Sequence, residues 1–181
     1  MQRHGCDLFI DVCANIGFYA IQVVLRGLAA AVLAFEPDER NRMQLGANIL
    51  INRVIGKISV SGDAVSSTSG TVTFRPASDD STGQSRVEEG RQSMAGGGVS
   101  VSRVALDDVV ALGGKRIFIK MDIEGHELSA IRGMKGCAAR NRIFLQVESF
   151  SSAIDRVKSE LSQIGMAHAR QIGDDHYFSN F

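Results

Sequence analysis

The chain has 181 residues, 44% of them hydrophobic, enough to bury one sizeable core and too few for two comfortable domains, so a single domain over 1–181 is expected. Its 20 basic and 20 acidic side chains cancel to a formal net charge of zero, and nothing in that balance calls for nucleic acid or an anionic membrane surface. Any partner has to be read from a local site. Cys6, Cys13 and Cys137, with no CxxC pair, fit neither a disulfide framework nor a structural zinc site and point to a reducing, cytoplasmic setting. The longest apolar stretch, 21–35, is broken by Arg26 and Gly27 and is too short on either side to span a bilayer. Strand-like residues begin at Asp7, so no secretory signal is expected.

"DLFIDV" (7–12) predicts a buried strand, "CANIG" a tight turn, and 18–26 a helix with Ala20, Val23 and Val24 on one face. "AAVLAF" (30–35) is a second buried strand. Pro37 suits the first turn of the next helix, Asp38 and Glu39 complement its positive end, and Met43, Ala47 and Leu50 are expected to form its apolar face. "KISVSG" (57–62) and "GTVTF" (70–74) follow as strands, the latter more exposed by its alternation. From 76 to 98 the chain is rich in Ser, Gly and charged residues, which predicts a long mobile loop carrying Arg86 and Arg91 beside Arg75. "VSVSRVAL" (99–106) returns to strand, and "DDVVAL" (107–112) reads as a short helix capped by its aspartates. An apolar strand then opens into the acid-rich "MDIEGHE" (121–127), and Leu128, Ile131 and Met134 continue as a helix face. "RIFLQVE" (142–148) is another strand, and Ile154, Val157, Leu161 and Ile164 mark an amphipathic helix stopped by Gly165. The tail predicts a closing hairpin through "GDD" (173–175). Alternation of strand and helix implies a mostly parallel sheet with helices on both faces.

Four of these strands end in an acid: Asp11, Glu36, Asp122 and Glu148. Ligands of open parallel sheets bind at the carboxyl ends of the strands, so acids gathered there point to a site, although each alone also suits helix capping. Glu36 follows Gly17 by 19 positions, near the spacing at which an acid reaches ribose hydroxyls. The turn before it has one glycine rather than GxGxxG, and no phosphate cradle follows. A phosphate-free adenosine ligand such as S-adenosylmethionine fits this pattern better than a dinucleotide.

"DVCANIGFYA", "AFEPD", "LGANILIN", "LDDV", "IKMDIEGHE" and "FLQVES", in this order between Phe9 and about Ser149, resemble the FkbM family of S-adenosylmethionine-dependent methyltransferases. The resemblance implies a class I methyltransferase (Rossmann-like) α/β fold, with a seven-stranded mostly parallel sheet whose last strand is antiparallel. It implies methylation of a hydroxyl on a sugar, glycolipid or secondary metabolite. Carried over by position, Asp11, Cys13, Ala14, Asn15 and Gly17 would shape the methionine pocket and Glu36 would hold the ribose. Pro37 and Asp38 would border the adenine, and Asp63 with Ala64 would reach its amino group. Cys13 departs from the family, which mostly has glycine there. The competing readings are an NAD- or nucleotide-sugar-binding oxidoreductase on a related sheet, or a non-catalytic member of the fold.

Methyl transfer to an alcohol needs alignment and a base. Asp122 and Glu124 are the candidates facing the acceptor, with His126 as an alternative and Glu148 completing the acceptor pocket. Lys120 is expected to pair with one of these acids. No spacing supports a metal, and His4, His168 and His176 are scattered singly.

Overall fold

A computed structural model describes residues 5–76, 86–88, 98–111, 113–149 and 153–181. In chain order the first half comprises β1 (Cys6–Val12), α1 (Phe18–Leu25), β2 (Ala29–Phe35), α2 (Glu39–Ile51), β3 (Ile58–Ser61), β4 (Ala64–Val65), β5 (Gly70–Arg75) and β6 (Arg86–Glu88). The second half comprises β7 (Val99–Val104), α3 (Leu106–Val109), β8 (Arg116–Met121), α4 (Glu127–Arg132), α5 (Lys135–Arg140), β9 (Arg142–Glu148), α6 (Ile154–Gln163), β10 (Ala167–Ile172) and β11 (Asp175–Ser179). The main sheet has seven strands in the order β10-β11-β9-β8-β1-β2-β3. All neighbours are parallel except that β11 runs antiparallel to both β9 and β10, as the sequence implied.

The period-two alternation of β1 divides the core. Leu8, Ile10 and Val12 join Ile131, Cys137, Val157 and Leu161 from α4, α5 and α6 on one side of the sheet. Phe9 joins Ala20, Ile21, Leu45 and Ile49 from α1 and α2 on the other. Helices therefore cover both faces, and β1 lies centrally with β2 and β8 as its neighbours. Its carboxyl end is consequently flanked by those of both neighbours, which is where the predicted acids converge.

Several local expectations need correction. In α2 the buried residues are Asn41, Leu45 and Ile49, whereas Met43 and Leu50 are 71% and 62% exposed and Ala47 is exposed too. Both stripes fit a helical period, and only the position of the sheet decides between them. The helix starts one turn position later than expected: Asp38 is its N-cap, accepting from the backbone N–H of Arg40 at 2.9 Å, and Pro37 precedes it. Neither aspartate of "DDV" caps α3. Instead Asp107 accepts from the N–H groups of Gly136 and Cys137, so it serves the amino end of α5, about 30 residues further on.

A second sheet, β4-β7-β5-β6, stands beside the carboxyl edge of the first, with β5 antiparallel to both β7 and β6. The predicted loop at 76–98 is thus interrupted by β6, whose three residues are too few to show alternation in sequence. The remainder of that loop, including Arg91, lies outside the described residues.

Gly133 closes the contact between the turn linking α4 to α5 and the strand-end residue Ser66: a Cβ there would run into the Ser66 carbonyl oxygen. Backbone cannot rotate away as a side chain does, so Gly133→Ala is expected to destabilise by about 2–3 kcal/mol, measured by urea unfolding. An unchanged midpoint would show that this turn yields freely.

Candidate active site

The turn after β1 is built around backbone positions that favour glycine. Cys13 has φ 62°, Asn15 φ 51° and Gly17 φ 86°. At Gly17 a Cβ would also collide with Leu45 Cδ1, so glycine is required there twice over. The Ala14 N–H donates to the Phe35 carbonyl at 2.9 Å, tying the turn to the end of β2. Cys13 therefore stands at a left-handed position, which gives the glycine expected there a backbone reason and makes the cysteine the strained choice. Left-handed backbone costs an L-residue roughly 1–2 kcal/mol, so Cys13→Gly is expected to stabilise by about 1 kcal/mol after its extra unfolded-state entropy. Thermal unfolding checks this, and a lowered melting temperature would mean that thiol packing outweighs the strain.

Glu36, fully buried, organises the turn. Its Oε2 accepts from the Asn15 N–H at 2.6 Å, and its Oε1 accepts from the Asp38 N–H at 2.9 Å. The Cys13 thiol points to the same Oε2 at 3.8 Å. Burial raises the Glu36 carboxyl above the usual carboxylate range against the pull of these two N–H groups. Oε2 takes both the Asn15 N–H and the thiol, and Oε1 retains a lone pair for a further donor. Burial, then the Glu36 charge, push the Cys13 thiol well up, so it is no nucleophile at neutral pH.

A pocket opens beside this node, lined by Cys13, Pro37, Asp63, Ala64, His126 and Phe74, with Val87 from β6. Phe74 and Val87 come from the second sheet and were not singled out in sequence; the 70–74 alternation was their only trace. The His126 Nε2 lies 3.1 Å from the Ser66 hydroxyl in a buried pair, and the imidazole lines the pocket.

Those acids form a second node. Asp11, buried, accepts from the Ala20 N–H of α1 at 3.1 Å through Oδ2, while its Oδ1 has no partner among the described residues. Burial lifts its carboxyl to about 6 against the opposing Lys120 charge. Lys120 is opposite Asp11 across the β1–β8 ladder and reaches Asp122 Oδ2 at 3.4 Å, the predicted pairing. Burial alone would lower its ammonium value, but Asp11 and Asp122 more than offset that and hold it up. Glu148, at the end of β9, is raised to about 7, first by burial and then by the Asp122 charge. Asp175 adds to the same effect and accepts from Gln146 Nε2 at 2.9 Å. Glu124, exposed in the left-handed turn, has its carboxyl raised by burial and by Asp122 and Glu127, while Glu127 accepts from the Gly125 N–H. The structure thus gathers Asp11, Lys120, Asp122 and Glu148 into one cluster, gathers Cys13, Asn15, Glu36 and Asp38 into another, and sets His126 beside Ser66 on the pocket.

The donor set fits S-adenosylmethionine. The buried Asn15 Oδ1 and Asp11 Oδ1 lack partners and would accept from an ammonium or hydroxyl, Glu36 would accept ribose hydroxyls, and no phosphate-binding cradle is present among the described residues. Strand order, the turn after β1 and the acid ending β2 define the class I methyltransferase fold. Residues 11–170 match the methyltransferase FkbM domain, and the chain belongs to that family, whose members take S-adenosylmethionine as methyl donor. It is 30% identical over 130 residues to the hexuronic acid methyltransferase AglP of Haloferax volcanii, covering 71% of this chain and 50% of that protein. Among solved structures it is similar to methyltransferase FkbM from Methylobacillus flagellatus, with a TM-score of 0.61 and 19% identity over 99% of this chain and 44% of that one. The ribosomal protein L11 methylase of Lactobacillus delbrueckii gives a TM-score of 0.57 at 12% identity, over 99% of this chain and 70% of that one. The chain spans about half the length of the first two relatives. Among the described residues no helix is long and apolar enough to cross a membrane, and no group of three or more His, Cys, Asp or Glu is placed to hold a metal ion.

Proposed function

We propose that the chain is an S-adenosylmethionine-dependent O-methyltransferase that acts on a hydroxyl of a sugar, glycolipid or secondary metabolite. The observation that carries this reading is the convergence of Asp122 and Glu148 at the adjoining ends of β8 and β9, with Glu148 raised to about 7 by burial and by the Asp122 charge. A base near neutrality both exists in its ionised form and has affinity for a proton, which is what an alcohol acceptor demands. Bound S-adenosylmethionine supplies a methyl group already activated on a sulfonium. The protein's part is then to hold the acceptor oxygen in line, exclude water and take its proton on Glu148, with the Asp122 charge raising the proton affinity of Glu148 and Lys120 balancing the charge. Glu124 flanks the same opening and is assigned to acceptor binding or proton removal there. Asp11, Cys13, Ala14, Asn15, Gly17 and Glu36 form the donor's methionine and ribose site, and Pro37, Asp38, Asp63 and Ala64 its adenine edge. Similarity to a hexuronic acid methyltransferase favours a uronic acid sugar as the acceptor class.

Calorimetric titration with S-adenosylmethionine, S-adenosylhomocysteine and NAD tests the donor. Release of S-adenosylhomocysteine on glucuronoside acceptors tests the transfer. Tight NAD binding without the sulfur nucleotides would overturn the reading in favour of an oxidoreductase.

A further inference from the structure

The face of α2 turned away from the sheet carries Met43, Leu50 and Ile51, exposed at 71%, 62% and 75%. At 100° per residue these side chains and Ala47 fall within one arc of about 100°. Ile55, in the turn that follows, is 65% exposed and prolongs the apolar run beyond the helix end. Isolated exposed apolar residues are ordinary, whereas a continuous arc of large ones on one helix is not.

The charge around this arc is mostly positive. Between residues 39 and 57 the sequence holds Arg40, Arg42, Arg53 and Lys57 against one acid, Glu39, which is exposed one turn before Met43, although the chain as a whole is neutral. Arg42 turns inward, its Nη1 donating to the carbonyls of Glu36 and Pro37, while Arg40, Arg53 and Lys57 are exposed. Large apolar side chains flanked by an excess of cations match the interface of an anionic bilayer: apolar groups enter the acyl boundary and the cations remain at headgroup level. A water-soluble protein partner would be matched equally well by a neutral or mixed rim, so the charge bias selects the lipid surface.

We propose that the outer face of α2, with the turn to Lys57, is a peripheral docking surface for bilayers rich in anionic lipid. The face lies on the side of α2 opposite Leu45 and Ile49, so docking leaves the α2 contacts with the sheet intact. It is independent of whether the chain transfers methyl groups.

The test is flotation of the whole 181-residue protein with vesicles of phosphatidylcholine, with and without about one third phosphatidylglycerol. Binding is expected to the anionic vesicles only and to fall about tenfold in high salt. The double variant Leu50→Ser/Ile51→Ser and the charge reversal Arg53→Glu/Lys57→Glu should each reduce binding about tenfold with unchanged unfolding midpoints. The salt and lipid dependence is read on the unmodified chain, so it stands even if a variant misfolds. No flotation with either vesicle, or equal flotation with both, overturns the proposal. So does a concentration-dependent dimer in light scattering that ignores vesicles and disappears in the Leu50→Ser/Ile51→Ser variant, which assigns the face to a second copy.

Discussion

Glu36→Gln is expected to weaken S-adenosylmethionine and S-adenosylhomocysteine binding by about 100-fold or more, because hydrogen bonds to a charged acceptor contribute roughly 1.5–3 kcal/mol each. The substitution keeps the side chain's shape and removes its charge and one acceptor oxygen. It acts twice. Two ribose hydroxyls lose their ionic partner, and one of the two N–H groups that Glu36 now satisfies, from Asn15 and Asp38, is left buried without an acceptor. A stability loss of about 1–3 kcal/mol should accompany the loss of affinity. Calorimetry on the folded variant separates the two, since a melting curve reads only the second. Retained affinity in the variant would mean that the ribose is held elsewhere and would remove Glu36 from the donor site.

The second large effect concerns the carboxyl pair. Glu148→Gln should lower turnover about 10²–10⁴-fold while leaving donor affinity within a few-fold, because only proton removal is lost. In the unmodified protein the rate is expected to rise with pH through about 7, as Glu148 loses its proton and becomes a base. Asp122→Asn removes the neighbouring charge that helps keep this proton on Glu148, so the same limb should move to lower pH. A limb that stays near 7 in Glu148→Gln would assign it to another group. Stability follows the opposite sense. The folded protein keeps the Glu148 proton at pH values where the unfolded chain has lost it, so this contribution is full below about 4 and disappears as pH rises through about 7. The Gln variant should show a flatter stability profile across that window.

Much of the architecture was legible without coordinates, because the signals are local. Continuous apolar runs bounded by turn residues gave the parallel strands, and the period of Ile154, Val157 and Leu161 gave α6, whose buried face is these three residues. The four acids could be placed at strand ends because chain direction in a parallel sheet sends every such end to the same edge. Family motifs supplied the seven-stranded, mostly parallel sheet with its antiparallel last strand, which periodicity cannot, and the strand order came from the structure. Where two patterns of equal period competed, as with Met43, Ala47 and Leu50 against Asn41, Leu45 and Ile49, the sequence offered no basis for choosing. The same limit applied to β6 and to the second sheet, whose strands are short and pair across long separations.

What the sequence by itself determined is the order of elements, the glycine-requiring turn after β1 and the set of acids that meet at one edge. Only the tertiary structure decided how those acids are divided. It put Glu36 at the centre of the turn, joined Asp122 to Glu148 from strands adjacent in space, turned His126 toward Ser66, and brought Phe74 and Val87 over the pocket. The reason is physical: strand and turn propensities act over a few residues, whereas the raised Glu148 carboxyl depends on acids some 26 positions apart meeting at an edge set by packing and register.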